Sequence, residues 1–152
     1  MSVYRDILAG VAGSLAAVEG AGAPLVRDYP ITIGTEAPPL LYVSPMPTGE
    51  RVLRRLFGGW TWWGYPVLVT LVLSGNRQVE DRLDHRLDLR QAIRAALDRP
   101  LLDGVAEVWD ASIDPQVSQD LQAAIGTNYA VSGWLMTYKT VERRTSAPGS
   151  ET

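Results

Sequence analysis

The first residues of the chain carry apolar side chains at the spacing of one helical face. This pattern is typical of an amphipathic helix that packs on a core, and its apolar positions are Val3, Ile7, Leu8, Val11, Leu15 and Val18. Ser2 precedes them and is a favourable N-cap residue, because its hydroxyl can accept a hydrogen bond from a free amide of the first turn. The helix is predicted to end before Gly20, since Gly20, Gly22 and Pro24 follow one another closely.

Short apolar runs separated by glycine and proline predict strands in the middle of the chain. Residues 21–39 are rich in Gly, Ala and Pro, and we interpret them as an extended connector. A short strand is predicted at 40–43, and two more at 51–57 and 65–73. The last of these is almost continuously apolar, which is typical of a central strand buried on both faces. The glycine-flanked segment 58–64 is expected to form a turn or to extend the strands into a protruding hairpin.

The pattern then changes to that of a long helix. Asn76 is a candidate cap for a helix that ends near Leu97, before Pro100. At about 100° per residue the apolar positions form two stripes, which are Val79, Leu83 and Leu87 on one side and Leu89, Ile93, Ala96 and Leu97 on the other. One sheet is not expected to cover both stripes. The helix is therefore predicted to bend, to pack beneath a loop or to meet a second subunit.

The remaining residues complete an α+β pattern. A strand is predicted at 105–109, a helical turn at 117–125 and a long final strand at 129–141. The polar, turn-prone residues 143–152 are expected to form a disordered tail. The predicted fold class is α+β, with a mixed or antiparallel sheet of about four to six strands flanked by an N-terminal helix and one long central helix, in a single domain of residues 1–142.

The composition excludes several kinds of chemistry. The 152 residues contain no cysteine, so no disulfide framework, thiol nucleophile or cysteine-based zinc site can form. A formal net charge of −3 argues against broad attraction to nucleic acid or anionic lipid, although a local arginine cluster could still bind an anion. The apolar stretches are far shorter than the ~20 residues of a membrane-spanning helix, so no membrane partner is expected.

The sequence carries no motif for nucleotide binding or hydrolysis. Its glycines match neither a P-loop nor a dinucleotide-binding fingerprint, and no serine lies in a nucleophile elbow. The single histidine, His85, falls on the predicted long helix near Asp81, Asp84 and Asp88, which leaves a small metal-dependent enzyme as an alternative. A solvated acidic helix face explains the same residues. We therefore expect no catalytic residue, no cofactor and no metal.

Large aromatic residues are concentrated in the glycine-flanked segment. Trp60, Trp62, Trp63 and Tyr65 fall within six residues, which is more than a hairpin turn requires. Either alternate members pack on the domain's own core, or some of them anchor an interface, a role that Trp and Tyr often fill. A third alternative is a ligand-binding module whose pocket is built from the three tryptophans.

Arginines accompany both the aromatic segment and the long helix. Arg51, Arg54 and Arg55 are expected to line a solvated strand edge, or to face an acidic partner or DNA. On the predicted helix, arginines recur every four residues on the apolar side, at Arg82, Arg86, Arg90 and Arg94. Such side chains can lie along apolar surface or be buried in a subunit interface. The candidate partner-binding residues are Trp60, Trp62, Trp63, Arg54, Arg55, Arg86 and Arg90.

The order of these elements over residues 1–142 resembles that of the tail terminator, or tail-completion, proteins of long-tailed bacteriophages and related tail-like particles. The resemblance is carried by the first helix and by the segments APPLLYVSP (37–45), YPVLVTLVLSGNR (65–77), LDLRQAIRAALDRPLL (87–102), VAEVWD (105–110) and NYAVSGWLMTYKT (128–140). The Trp-rich segment and the long Pro-rich connector of 24–47 depart from the family pattern.

The resemblance implies a structural assembly protein and not an enzyme. Such subunits form a ring, typically a hexamer, which caps the growing tail tube, ends its polymerisation and joins it to the neck. The implied partners are further copies of the same chain, the tail tube protein and the neck or head-completion proteins, with a passage for DNA through the ring lumen. The implied location is the tail or neck of the virion, assembled in the host cytoplasm. The nearest alternative is another head–tail connector or neck subunit.

Each subunit of a closed ring needs two different contact surfaces, because head-to-tail contacts join one surface of a copy to another surface of its neighbour. The two-stripe helix and the aromatic segment are the candidates for these two surfaces.

Overall fold

The chain forms an α+β fold, and the predicted class is confirmed. The computed structural model describes residues 2–28, 39–74, 80–98, 102, 105, 108–114 and 129–143. Within them the elements follow in the order α1 (Val3–Leu15), β1 (Pro24–Val26), β2 (Leu40–Pro45), β3 (Arg51–Arg55), a short 3-10 helix (Phe57–Gly59), β4 (Trp60–Ser74), α2 (Glu80–Leu97), β5 (Val108–Asp114) and β6 (Tyr129–Arg143). In this part of the chain six strands form one mixed sheet.

The sheet is built around two long antiparallel strands, β4 and β6. They pair in continuous register from Trp60 opposite Arg143 to Ser74 opposite Tyr129. β2 pairs antiparallel with the second half of β4, and β1 pairs parallel with β2. β3 pairs with the first residues of β4, and β5 pairs with β6 on the other side. A 15-residue strand is about 50 Å long at ~3.3 Å per residue, so the sheet extends well past either helix.

The hydrophobic core lies between the two helices and one face of the sheet, which we call the helix face. The helices bury Ile7, Leu8, Val11 and Leu15 from α1, and Leu89, Ile93 and Leu97 from α2. Successive strand residues point to opposite faces, and the residues of β4 and β6 in this core are Tyr65, Val67, Val69, Leu71, Trp134, Met136 and Tyr138. All residues from Tyr65 to Val72 are buried, which confirms the prediction of a central strand buried on both faces.

α1 begins where the sequence predicts and ends earlier. The Ser2 hydroxyl accepts a hydrogen bond of 3.3 Å from the Arg5 amide, as expected of an N-cap. The Val18 amide donates to the Leu15 carbonyl at 3.0 Å, a tight turn that closes the helix at Leu15, before the end predicted next to Gly20. Gly22 then takes a φ of +83°, and a Cβ there would come within 2.6 Å of the Pro39 carbonyl oxygen.

Two tyrosines connect α1 to the sheet. The Tyr4 hydroxyl donates to the Pro66 carbonyl and accepts from the Met46 amide at 3.2 Å. Its ring meets the Tyr65 ring edge-on, with centroids 5.2 Å apart. The Tyr65 hydroxyl donates to Glu142 at 2.6 Å. Burial, together with this hydrogen bond to a carboxylate, raises the pKa of Tyr65 well above its ordinary value.

Several strand boundaries differ from the prediction. The strand predicted at 105–109 is wrong in position, because β5 covers Val108–Asp114 and Val105 forms only an isolated bridge with Leu102. β1 lies inside the predicted connector. β3 ends at Arg55, two residues early, while β2 and β6 run two residues longer than predicted. Arg143 therefore belongs to β6 and is not the start of a tail.

Some predictions fall outside the described residues. They are the cap at Asn76, the apolar position Val79, the stop at Pro100, the helical turn at 117–125 and the tail from 144 onward. The side chains of residues 80–83 also lie outside, and with them the roles predicted for Asp81, Arg82 and Leu83.

Candidate protein-docking surfaces

The first five residues of β4 carry tryptophans on both faces of the sheet. Trp63 lies on the helix face, where it is half-buried and packs against the core. Trp60 and Trp62 lie on the opposite face, and Trp60 is 43% exposed. The prediction that alternate aromatic residues pack on the domain's own core is thus confirmed for Trp63 and Tyr65. The three tryptophans do not line one pocket, because the sheet separates Trp63 from the other two.

Trp109 joins this aromatic cluster from β5. The register of β5 against β6 shifts between Val108 and Asp110, and this bulge leaves Trp109 41% exposed. The Trp109 and Trp62 rings lie 5.1 Å apart, centroid to centroid, at 53°. Sequence reasoning missed Trp109 as a surface residue, because its contact depends on the register of three strands and on a bulge that no local motif marks.

β3 adds cationic and apolar side chains at the edge of the sheet. All five of its residues are exposed, which confirms the prediction of a solvated strand edge. A second bulge lies between Val52 and Arg54. Leu53 lies over Gly64, where an added Cβ would approach a Leu53 methyl to 3.1 Å. The Arg54 guanidinium carbon is 5.7 Å from the centroid of a Trp62 ring, a cation–π contact.

The strand register decides which arginines share a face with the exposed tryptophans. Arg51 pairs with Gly64 and Arg54 with Trp62, so both lie on the face opposite the helices, whereas Arg55 lies on the helix face. We call the resulting patch the basic aromatic surface, and its members are Arg51, Leu53, Arg54, Trp60, Trp62, Trp109 and Arg143.

An ion pair borders the basic aromatic surface. The Lys139 ammonium lies 3.1 Å from an Asp110 carboxylate oxygen, and both side chains are partly exposed. The hydrogen bond from Lys139 is the main reason why the pKa of Asp110 is lowered. Because these two charges neutralise each other, the positive charge of the surface comes from its arginines.

α2 has one buried and one exposed side. Leu89, Ile93 and Leu97 are buried, whereas Leu87, from the other predicted stripe, is 49% exposed. At this position the expectation that one sheet does not cover both stripes is confirmed. The residues exposed around Leu87 form what we call the acidic helix face, which consists of Asp84, Leu87, Asp88, Gln91, Ala95 and Asp98. The spacing of the arginines predicts Arg94 on the apolar side of the helix, and this prediction is wrong, because Arg94 is exposed beside the acidic helix face.

Arg86 and Arg90 lie on the packed side of α2. Arg90 Nη1 donates to the Ser132 hydroxyl at 3.3 Å, and its guanidinium carbon lies 5.9 Å from the centroid of a Trp134 ring. Arg86 is half-buried, and its Nε has no hydrogen-bond partner among the described residues. Arg90 is therefore engaged within its own protomer. The partner-binding roles of both arginines stay predictions.

The acidic residues of α2 were the basis for the metal-enzyme alternative. Within the described ranges, no three His, Cys, Asp or Glu side chains come together as they would to hold a metal ion. His85 is exposed and lies beside Gly20, where an added Cβ would be 3.6 Å from the imidazole Cε1.

Neither α1 nor α2 is long and apolar enough to cross a membrane.

Comparison with known proteins does not place the chain in a family. No protein-family model matches the sequence, and no curated protein matches it significantly. The fold and the two exposed surfaces are therefore the observations from which a function can be inferred.

Proposed function

We propose that this chain is a structural assembly protein of the tail terminator type. It forms a ring that caps a tail tube, ends the polymerisation of the tube and joins it to the neck of the particle. The observation that carries the proposal is the basic aromatic surface. Although the described residues already form a buried core, Trp60 and Trp109 remain more than two-fifths exposed on one face. Clustered exposed aromatic residues are typical of protein interfaces.

The shape of this surface favours a protein partner over a small ligand. Small-molecule sites are concave and surround most of the ligand. The members of the basic aromatic surface lie side by side on neighbouring strands of one sheet, and the Trp62 ring already contacts Arg54 and Trp109. The tryptophans and arginines of this broad surface are among the residue types that are enriched in protein interfaces.

A second exposed surface supports the assembly of a ring. Each subunit of a closed ring needs two different contact surfaces, and the acidic helix face is separate from the basic aromatic surface. The α+β fold with an N-terminal helix and a long central helix is also the fold that the resemblance to tail terminators implies. The proposed location of the assembled ring is the neck end of the virion tail.

The proposal is tested by growing tail tubes in the presence of the purified chain. The tail tube protein of the same particle is polymerised with and without the chain, and tube lengths are measured in negative-stain images. We expect shorter tubes that carry a ring at one end. Tubes whose length and ends are unchanged by an excess of the folded chain would contradict the proposal.

A matched pair of variants connects this activity to the surface. Trp60→Ala combined with Trp109→Ala is expected to abolish the shortening of the tubes while the far-UV circular dichroism spectrum stays unchanged. Val26→Ala is the control, because Val26 is 45% exposed on β1, which pairs with β2 and carries no member of the basic aromatic surface. Equal activity of both variants would exclude the basic aromatic surface from this function.

A further inference from the structure

We propose that copies of this chain bind head to tail, with the basic aromatic surface of one copy on the acidic helix face of the next. This inference deepens the proposed function and rests on it for its biological role, because it identifies the contact that closes the ring. The partner is a second copy of the same chain. The two surfaces complement each other in charge and in the apolar side chains that they expose.

The two surfaces cannot meet within one protomer. α2 packs on the helix face near Ser132 and Trp134, which its Arg90 contacts. The basic aromatic surface lies on the opposite face, around Trp62, whose β6 partner in the register is Val141. Val141 lies seven positions along β6 from Trp134, or about 23 Å at ~3.3 Å per residue. The acidic helix face and the basic aromatic surface therefore lie at opposite ends and on opposite faces of the sheet. Contact between these two surfaces requires another molecule.

The charges of the two surfaces are opposite in sign. Arg51, Arg54 and Arg143 are exposed on or beside the aromatic cluster. Among the described residues, the acids near them are Glu50, which is exposed, Glu142, which accepts the hydrogen bond from Tyr65, and Asp110, whose charge Lys139 neutralises. The surplus is therefore positive.

The acidic helix face exposes Asp84, Asp88 and Asp98, and the arginine exposed beside it among the described side chains of α2 is Arg94. Its surplus is negative. Opposite potentials on two surfaces of one chain favour head-to-tail association and oppose head-to-head pairing.

The spacing of the charges also matches. Asp84 and Asp88 are one helical turn apart, about 6 Å along the axis. Arg51 and Arg54 pair with Gly64 and Trp62, which are two residues apart and therefore about 7 Å from each other along the strand. Each arginine can thus face one aspartate.

The apolar side chains of the two surfaces fit the same arrangement. Leu87 lies beside the two aspartates on the same helix face and is 49% exposed, and Leu53 lies between the two arginines along β3. Contact between them would remove apolar surface from water on both copies.

DNA is the other anionic partner that an arginine-rich surface could bind. Proteins that hold single strands stack bases on open aromatic faces. Here the Trp62 ring is already in contact with the Arg54 guanidinium and with Trp109. The net charge of −3 also repels a polyanion from the molecule as a whole. These observations favour the acidic helix face of a second copy.

Reciprocal charge reversal tests this contact. One variant carries Arg51→Glu and Arg54→Glu, and the other carries Asp84→Arg and Asp88→Arg. Self-association of the wild type, of each variant and of an equimolar mixture is measured by sedimentation at low and high salt. The control is Arg5→Glu, which reverses an exposed charge on α1. A parallel titration of the wild type and the arginine variant uses double-stranded DNA of mixed sequence.

The proposal predicts that each variant alone associates at least about tenfold more weakly than the wild type, because like charges then face each other. The mixture is expected to recover association, since the introduced glutamates meet the introduced arginines. Association of the wild type should weaken with salt, and Arg5→Glu should behave as the wild type does.

Several results would overturn the proposed contact. They are a wild type that stays monomeric at millimolar concentration, variants that associate as the wild type does, or a mixture without recovery. DNA binding that the arginine variant loses, while its self-association is intact, would assign the surface to DNA. If the variants associate normally and still shorten tail tubes, the contact is wrong and the proposed function stands. If the contact behaves as predicted and the wild type never limits tube growth, the proposed function fails and the contact stands.

Discussion

Alanine substitutions of two nearby tryptophans, Trp60 and Trp63, should affect stability and self-association to different degrees. Trp63 packs against the core on the helix face, whereas Trp60 is 43% exposed on the opposite face. A tryptophan that buries most of its ~150–250 Å² contributes about 3–5 kcal/mol at ~25 cal/mol per Å². For the half-buried Trp63, we expect Trp63→Ala to lower the free energy of unfolding by about 3 kcal/mol. For Trp60→Ala, we expect a loss of about 1 kcal/mol, the ordinary effect of a surface substitution with partial burial.

Urea unfolding followed by far-UV circular dichroism measures both values without relying on tryptophan fluorescence, which the substitutions themselves change. In thermal unfolding, about 3 kcal/mol corresponds to a decrease in Tm of about 6–12 °C for a domain of this size. Self-association should show the reverse order, with Trp60→Ala the more damaging of the two. Equal losses of stability, or a Trp60→Ala variant that fails to fold, would refute the assignment of the two tryptophans to different faces.

Three further predictions concern folding and its dependence on pH. Leu71→Asp should abolish folding, because Leu71 is fully buried in the core and a carboxylate there would lose its hydration without gaining an ion-pair or hydrogen-bond partner. Circular dichroism measures this loss of folding. The control is Leu53→Asp, at a 37% exposed position, which should stay folded. The raised pKa of Tyr65 contributes stability that is present below its ordinary pKa of 10.0 and is lost as the pH rises toward the folded value. The urea midpoint of the wild type should therefore fall above about pH 10. In Tyr65→Phe the midpoint should fall less steeply, because only the raised pKa of Tyr138 still contributes. The lowered pKa of Asp110 contributes stability that is present above about pH 4 and is lost as the pH falls through the folded value. Asp110→Asn should therefore lower the free energy of unfolding by under about 1 kcal/mol at neutral pH. It should also remove this dependence of the urea midpoint on acidic pH.

The elements with a strong hydrophobic period were predictable from the sequence. The capped first helix, the doubly buried strand β4 and the packed side of α2 all follow from spacing, because burial imposes a period of two or of 3.6 residues. β5 was misplaced because the apolar run VAEVW resembles a strand more than the small and acidic residues after it do. The alternation of Asp110, Ser112 and Asp114 with Ala111 and Ile113 was the signal that could have located it.

The candidate surfaces were only partly predictable. The alternation of strand residues already suggested that Trp62 and Trp63 point to different faces. It could not show that Trp109 meets Trp62, or that Leu53 lies over Gly64, because both contacts arise from bulges and from pairing between distant segments. The exposure of Leu87 was expected from the two stripes of the helix. Which stripe the core would bury depended on how α2 is oriented on the sheet.

In the proposed assembly, other copies of this chain bury the exposed aromatic and acidic surfaces at the end of a tail tube. The most direct measurement is the mass of the complex in solution, obtained by light scattering on the purified chain alone and on the chain with short tail tubes, together with negative-stain images. We expect a closed ring of several copies, either free or bound at one tube end. A chain that stays monomeric under both conditions, with bare tube ends, would refute this assembly.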